Sequence, residues 1–139
     1  MTQIKIKNHL VGHGCPPFIV AEAGINHNGN VDTAFKMIKL AKKSGVDAIK
    51  FQTFKAKEVV ADSKQMFTYK SQDKEITEPM LEMLKRCELS RDAWIDIKNK
   101  CDEEKIMFLS TPQNNSDLDL LLELDIPAIK VGSDDFTNL

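Results

Sequence analysis

The chain has 139 residues, 42% of them hydrophobic, which is one domain's worth of sequence with enough apolar material for a core. Its 19 lysines and arginines against 21 aspartates and glutamates leave neither a basic footprint for nucleic acid nor an acidic tail, so small molecules or protein are the expected partners. Three cysteines (Cys15, Cys87, Cys101) without CxxC spacing exclude a disulfide framework and a zinc knuckle. The N-terminal residues lack the apolar run of a signal peptide or membrane span, and a cytoplasmic location is expected.

From Gln3 to Gly14, apolar Ile4 and Ile6 alternate with Lys5 and Lys7, which predicts a short hairpin ribbon capping one end of the domain. His9, His13 and Cys15 lie close together there but have no fourth ligand nearby, so a metal site is not assigned to them. An apolar strand, Phe18 to Glu22, then runs into the polar loop Asn26-His27-Asn28-Gly29. Asn30 is placed to cap a helix carrying Ala34, Met37, Ile38 and Ala41 at helical spacing, with Lys42 and Lys43 in its last turn and Gly45 ending it. The next strand runs from Val46 to Thr53.

Residues 55–88 break this rhythm with a lysine-rich excursion, partly helical near Pro79 to Arg86. Two readings fit it: a lid over the strand ends, or a solvated excursion with Met66, Phe67 and Met80 in a satellite core. Ser90 then caps a helix with Ala93, Trp94, Ile97 and Cys101 on one face. Ile106 to Ser110 reads as a strand, Leu118, Leu121 and Leu122 as a helix, and Ala128 to Gly132 as a fourth strand. Strands alternating with helices predict an α/β fold with a parallel sheet.

In such folds ligands bind beyond the carboxyl ends of the strands, and Glu22, Lys50, Gln52, Thr111, Lys130 and Ser133 all fall there. Residues two apart on a strand share a face, so Lys50 and Gln52 point together while Phe51 faces the helices. A buried lysine needs an anionic partner. Two lysines on separate strands therefore favour a bound phosphate or carboxylate, with hydroxyls from Thr111 and Ser133 and backbone N–H groups from the Gly132-Ser133-Asp134 turn. The structural alternative pairs Lys50 and Lys130 with Glu22 and Asp135. His27, within its polar loop, is a candidate ligand contact; Trp94 reads as core, and residues 102–105 as a solvated helix end.

Four segments, Ala21-Glu-Ala-Gly-Ile-Asn-His-Asn-Gly29, Ala48-Ile-Lys-Phe-Gln52, Phe108-Leu-Ser-Thr-Pro112 and Ile129-Lys-Val-Gly-Ser-Asp-Asp135, resemble in order and spacing the sialic acid synthase family. These are the phosphoenolpyruvate-dependent synthases of N-acetylneuraminate and related nonulosonates. The resemblance implies a (β/α)₈ barrel of TIM type, usually followed by an antifreeze-like domain. Such a barrel takes about 250 residues, so the expectation is its N-terminal half, about the first four strand-helix units, with the C-terminal half and antifreeze-like domain absent.

The resemblance further implies that phosphoenolpyruvate is condensed with the open-chain aldehyde of an N-acetylated hexose such as N-acetylmannosamine. By matching positions, Lys50, Thr111, Lys130 and Ser133 hold phosphoenolpyruvate; Glu22, Asn26, His27 and Gln52 hold the sugar; Glu22 and Asp135 are the catalytic carboxylates. Asp135 stands where family members often carry glutamate. A divalent metal, manganese or magnesium, is implied for the complete family enzyme, with ligands outside this chain. The uncovered half-barrel is expected to form a homodimer or to be completed by a C-terminal half. Two other classes fit the same residues: an aldolase with Lys50 or Lys130 as Schiff base, and a noncatalytic anion-binding or assembly module.

Overall fold

The structure, a computed structural model, describes residues 2–133 and 135–136. At the amino terminus β1 (Ile4–Ile6) and β2 (His9–Val11) form an antiparallel ribbon. Ile6 packs on Ala48, Met107 and Leu109, and His9 Nε2 lies 3.3 Å from Asp47 Oδ1. The other oxygen of Asp47 accepts from the Ile19 backbone N at 2.7 Å. One carboxylate thus ties the ribbon to the entry of the sheet.

The sheet has three parallel strands in the order β3 (Val20–Gly24), β4 (Ala48–Thr53), β7 (Met107–Pro112). Helix α1 (Val31–Lys43) links β3 to β4, and its start is fixed by Asn30 Oδ1 accepting from the Thr33 backbone N at 2.8 Å. The second crossover holds α2 (Ala56–Val59), a hairpin of β5 (Met66–Ser71) and β6 (Lys74–Pro79), α3 (Met80–Cys87) and α4 (Arg91–Glu103). Ser90 caps α4, and Asn114 caps α5 (Asn115–Glu123), which follows β7.

The principal core lies between the sheet and helices α1, α4 and α5. Ile49, Phe51 and Phe108 meet Ile38, Trp94, Ile97 and Leu121 there. Full burial of each such side chain stabilises by roughly 1.5–3 kcal/mol, and the Phe51, Trp94 and Phe108 rings lie 5.8–6.2 Å apart. Burial pushes the Cys101 thiol on α4 up to about 12, which marks it as an inert core residue. Among the described residues no helix is long and apolar enough to cross a membrane.

The α/β class with a parallel sheet is present, and among the described residues the sheet is open. Two expectations are corrected. The fourth strand reduces to one parallel bridge, Ser110 with Ile129. Pro127 supplies no N–H at its entry, β7 is its sole strand neighbour among the described residues, and Val131 is 57% exposed. The segment 55–88 contains a β-hairpin that no turn signal announced: Gln72 and Asp73 take positive φ without a glycine. Met80 joins a satellite core with Phe54, Met83, Leu84 and Cys87, whereas Met66 and Phe67 remain exposed.

This satellite core grips the turn after β3. Ile25 packs into it, and Gly29, at φ +72°, comes so close to the end of α3 that an added Cβ would lie 2.1 Å from the Arg86 carbonyl oxygen. A backbone atom cannot swing aside as a side-chain tip can. Gly29→Ala is therefore expected to cost about 2–4 kcal/mol through left-handed strain plus the clash. It should lower the urea midpoint at unchanged slope; an unaltered midpoint would show that the two segments do not touch.

Candidate functional site

Parallel pairing dictates the site. Glu22 stands opposite Lys50, and Gln52 opposite Thr111. Alternation puts Ala48, Lys50 and Gln52 on the face away from the helices, with Met107, Leu109 and Thr111 beside them. Ala128 packs on the same apolar patch, so Lys130 shares that face, anchored through its backbone N to Ser110 O at 3.1 Å. The row runs from Glu22 across Lys50, Gln52 and Thr111 to Lys130.

Lys50 Nζ lies 2.5 Å from Glu22 Oε2, with the lysine side chain 14% exposed and the carboxylate 54% exposed. This is half of the structural ion-pair alternative; the other half, Lys130 with Asp135, is not formed. The pair leaves most of the carboxylate open to solvent. Thr111 is buried, and its hydroxyl has no hydrogen-bond partner among the described residues.

Glycine shapes the Glu22 end. Gly24 adopts φ +53° at an irregularity in the β3–β4 ladder, and a Cβ there would lie 3.3 Å from Glu22 Oε1 and 4.0 Å from Asn26 Nδ2. The carboxylate and the amide therefore converge over a bare backbone. Asn26 Nδ2 also donates to Ala23 O at 3.0 Å, which fixes the amide's direction. Sequence reasoning passed over Gly24; its position two residues after Glu22, where the chain leaves the strand, was the available signal.

Two predicted site residues fall elsewhere. His27 is fully buried on the helix side, with its ring 6.0 Å from Phe51 and 6.1 Å from Trp94, away from the face that carries Lys50 and Gln52. An imidazole is large and mostly apolar, and the aromatic layer below the turn takes it in. Asp135 is exposed and lines a cavity of about 460 Å³ with Pro112, Leu118 and Ile129, toward α5. Ser133 is exposed in the turn after the bridge. Among the described residues no three His, Cys, Asp or Glu side chains approach closely enough to hold a metal ion, so the divalent metal implied by the resemblance has no donor set there.

A second polar group, unforeseen from sequence, surrounds Asp117 in the first turn of α5. It borders a cavity of about 300 Å³ between the starts of α4 and α5, together with Thr53, Lys55, Glu88 and Arg91. Asp117 is 3% exposed, and burial raises its carboxyl to about 6; Glu58 adds to the rise, while Lys55 and backbone N–H groups of Gln113 and Asn114 oppose it. Nothing local in Asn-Ser-Asp announces this, because the burial comes from another crossover.

The class is therefore an α/β chain with a parallel sheet and a charged row at its strand ends, where α/β folds bind ligands. The NeuB family model matches residues 37–139, and the chain belongs to that family. It is 38% identical over 121 residues to the N,N'-diacetyllegionaminic acid synthase of Campylobacter jejuni, covering 87% of this chain and 36% of that protein. It is 31% identical to human N-acetylneuraminate-9-phosphate synthase, covering 92% of this chain and 35% of the human protein. The crystal structure of N-acetylneuraminic acid synthetase from Leptospira borgpetersenii superposes with TM-score 0.85 at 28% identity, over 99% of this chain and 43% of that one. The chain spans about a third of the length of the curated relatives it matches.

The Asp117 environment has a measurable consequence. A carboxyl whose folded pKa exceeds its unfolded value favours folding in its protonated form, so this contribution is complete below about pH 4 and is lost as pH rises through about 6. Asp117→Asn, which removes the charge but keeps an acceptor for the backbone, should raise stability at pH 8 by on the order of 1–3 kcal/mol and leave it unchanged at pH 4. Thermal unfolding at both values decides; equal stabilities at pH 8 would mean that the carboxylate is not desolvated.

Proposed function

We propose that this chain supplies the phosphoenolpyruvate- and sugar-holding strands of a nonulosonate synthase, a transferase that joins phosphoenolpyruvate to an N-acetylated hexose with release of phosphate. The observation that carries this reading is the row itself, with a lysine, an unpartnered threonine hydroxyl and a second lysine on one face beside a carboxylate and an amide. Family membership supports it, since the relatives are named as synthases of nonulosonic acids.

In this reading Lys50 and Lys130, two strand spacings or about 10 Å apart at the backbone, close on the carboxylate and phosphate of phosphoenolpyruvate from either side. Thr111 donates its hydroxyl between them. Ser133 joins from the turn that follows. At the other end, Glu22 and Asn26 over Gly24, with Gln52 beside them, hold the sugar. The enol carbon C3 attacks the aldehyde carbon, and the carbonyl oxygen takes up a proton. Water adds at C2, and the tetrahedral intermediate loses phosphate by cleavage of its C–O bond. Fixed cations offset the charge on the departing phosphate at no reorganisation cost. The open edges of the sheet require closure by a C-terminal half or a second copy before the site excludes water.

Calorimetric titration of the chain with phosphoenolpyruvate tests the assignment. Saturable binding is expected, weakened about tenfold to a hundredfold in both Lys50→Ala and Lys130→Ala, as for loss of a charge-assisted hydrogen bond. Unchanged affinity in both variants would remove phosphoenolpyruvate from this face.

A further inference from the structure

His27 is a buried histidine that the proposed chemistry leaves without a task. Burial holds its imidazole below the ordinary range, so the ring is neutral near pH 7. A neutral imidazole has one nitrogen that accepts and one that donates. Nδ1 lies 3.1 Å from the backbone N of Gly29, a group that can only donate. Nδ1 is therefore the acceptor and the proton sits on Nε2, which has no partner among the described residues and lies within the Phe51 and Trp94 layer.

The bond holds a tight turn. Asn28 N donates to Ile25 O and Asn30 N to His27 O, both at 3.0 Å, while Gly29 is pressed on Arg86 from outside. Asn26 precedes His27 directly, so the shape of this turn sets where its amide stands relative to Glu22. We infer that His27 is a positioning residue, whose Nδ1 pins the Gly29 amide and so holds Asn26 beside Glu22. That these two groups meet a sugar rests on the proposed function; the pin itself does not.

Charged groups on the neighbouring elements are engaged elsewhere. Lys50 of β4 pairs with Glu22 on the opposite face of the sheet, Arg86 of α3 pairs with Glu78, and Arg91 of α4 pairs with Glu123. Asp92 of α4 and Asp32 and Lys36 of α1 are exposed. A second proton on the ring would occupy Nδ1, deprive the Gly29 N–H of its acceptor and bury a charge. The turn is thus held above the depressed titration of His27 and released below it.

Imidazole ¹⁵N NMR and amide exchange on the ligand-free chain test this. Near pH 7 the proton is expected on Nε2. His27→Phe keeps an aromatic ring without an acceptor, and should lower the protection factor of the Gly29 amide roughly tenfold while that of Phe108 stays put. His27→Asn, which restores an acceptor close to the position of Nδ1, should return much of the protection. In the parent that protection should fall on acidification, and in both variants it should be flat with pH. A proton on Nδ1, or equal Gly29 protection in parent and His27→Phe, would overturn the inference. If His27→Phe does not fold, the parent's tautomer and pH course decide alone. Failure to bind phosphoenolpyruvate with the Gly29 protection intact would reject the proposed function and leave the pin standing.

Discussion

Side chains on an extended strand point alternately to its two faces, and β4, the middle strand, has to satisfy both of them at once. Ile49 and Phe51 complete the aromatic layer under Trp94, while Ala48, Lys50 and Gln52 form the middle of the opposite face. A register slip of one residue would drive Lys50 into the helix-facing core and Phe51 into the open. The packing of Phe51 against Trp94 and Phe108 therefore also fixes where the cation of the site stands.

The turn after β3 carries the same logic into irregular structure. It emerges from β3, which among the described residues has a ladder on one side only, and three contacts hold it from elsewhere. His27 enters the core beneath it, Ile25 packs into the satellite cluster, and Gly29 meets the end of α3. The long second crossover thus buttresses the Glu22 and Asn26 end of the site from outside. Its hairpin is bound to α3 by Glu78, which accepts from Tyr69 and from both terminal nitrogens of Arg86. Those hydrogen bonds also hold the Glu78 carboxyl below its usual range.

Membership of the NeuB family fits this arrangement, since the chain covers about a third of each curated relative and superposes on a synthetase over nearly its whole length. The divalent metal of the implied chemistry has no donor set among the described residues.

Much of the fold was legible in the sequence because it rests on local signals. Asn30, Ser90 and the apolar spacing of Ala34, Ile38 and Ala41 specify helices through contacts within a few residues, and the strand patterns specify which side chains share a face. The sequence by itself therefore determined the parallel α/β layout, the burial of Trp94, and the alignment of Lys50 with Gln52. The tertiary structure decided whatever depends on residues distant in the chain. It buried His27, because the Phe51 and Trp94 layer below it comes from other elements. It opened the cradle over Gly24, raised the Asp117 carboxyl by burying it, and reduced the fourth strand to a single bridge with one strand neighbour among the described residues. Local pattern governs which face a side chain takes; only the assembled neighbours determine whether that face is filled, paired or open.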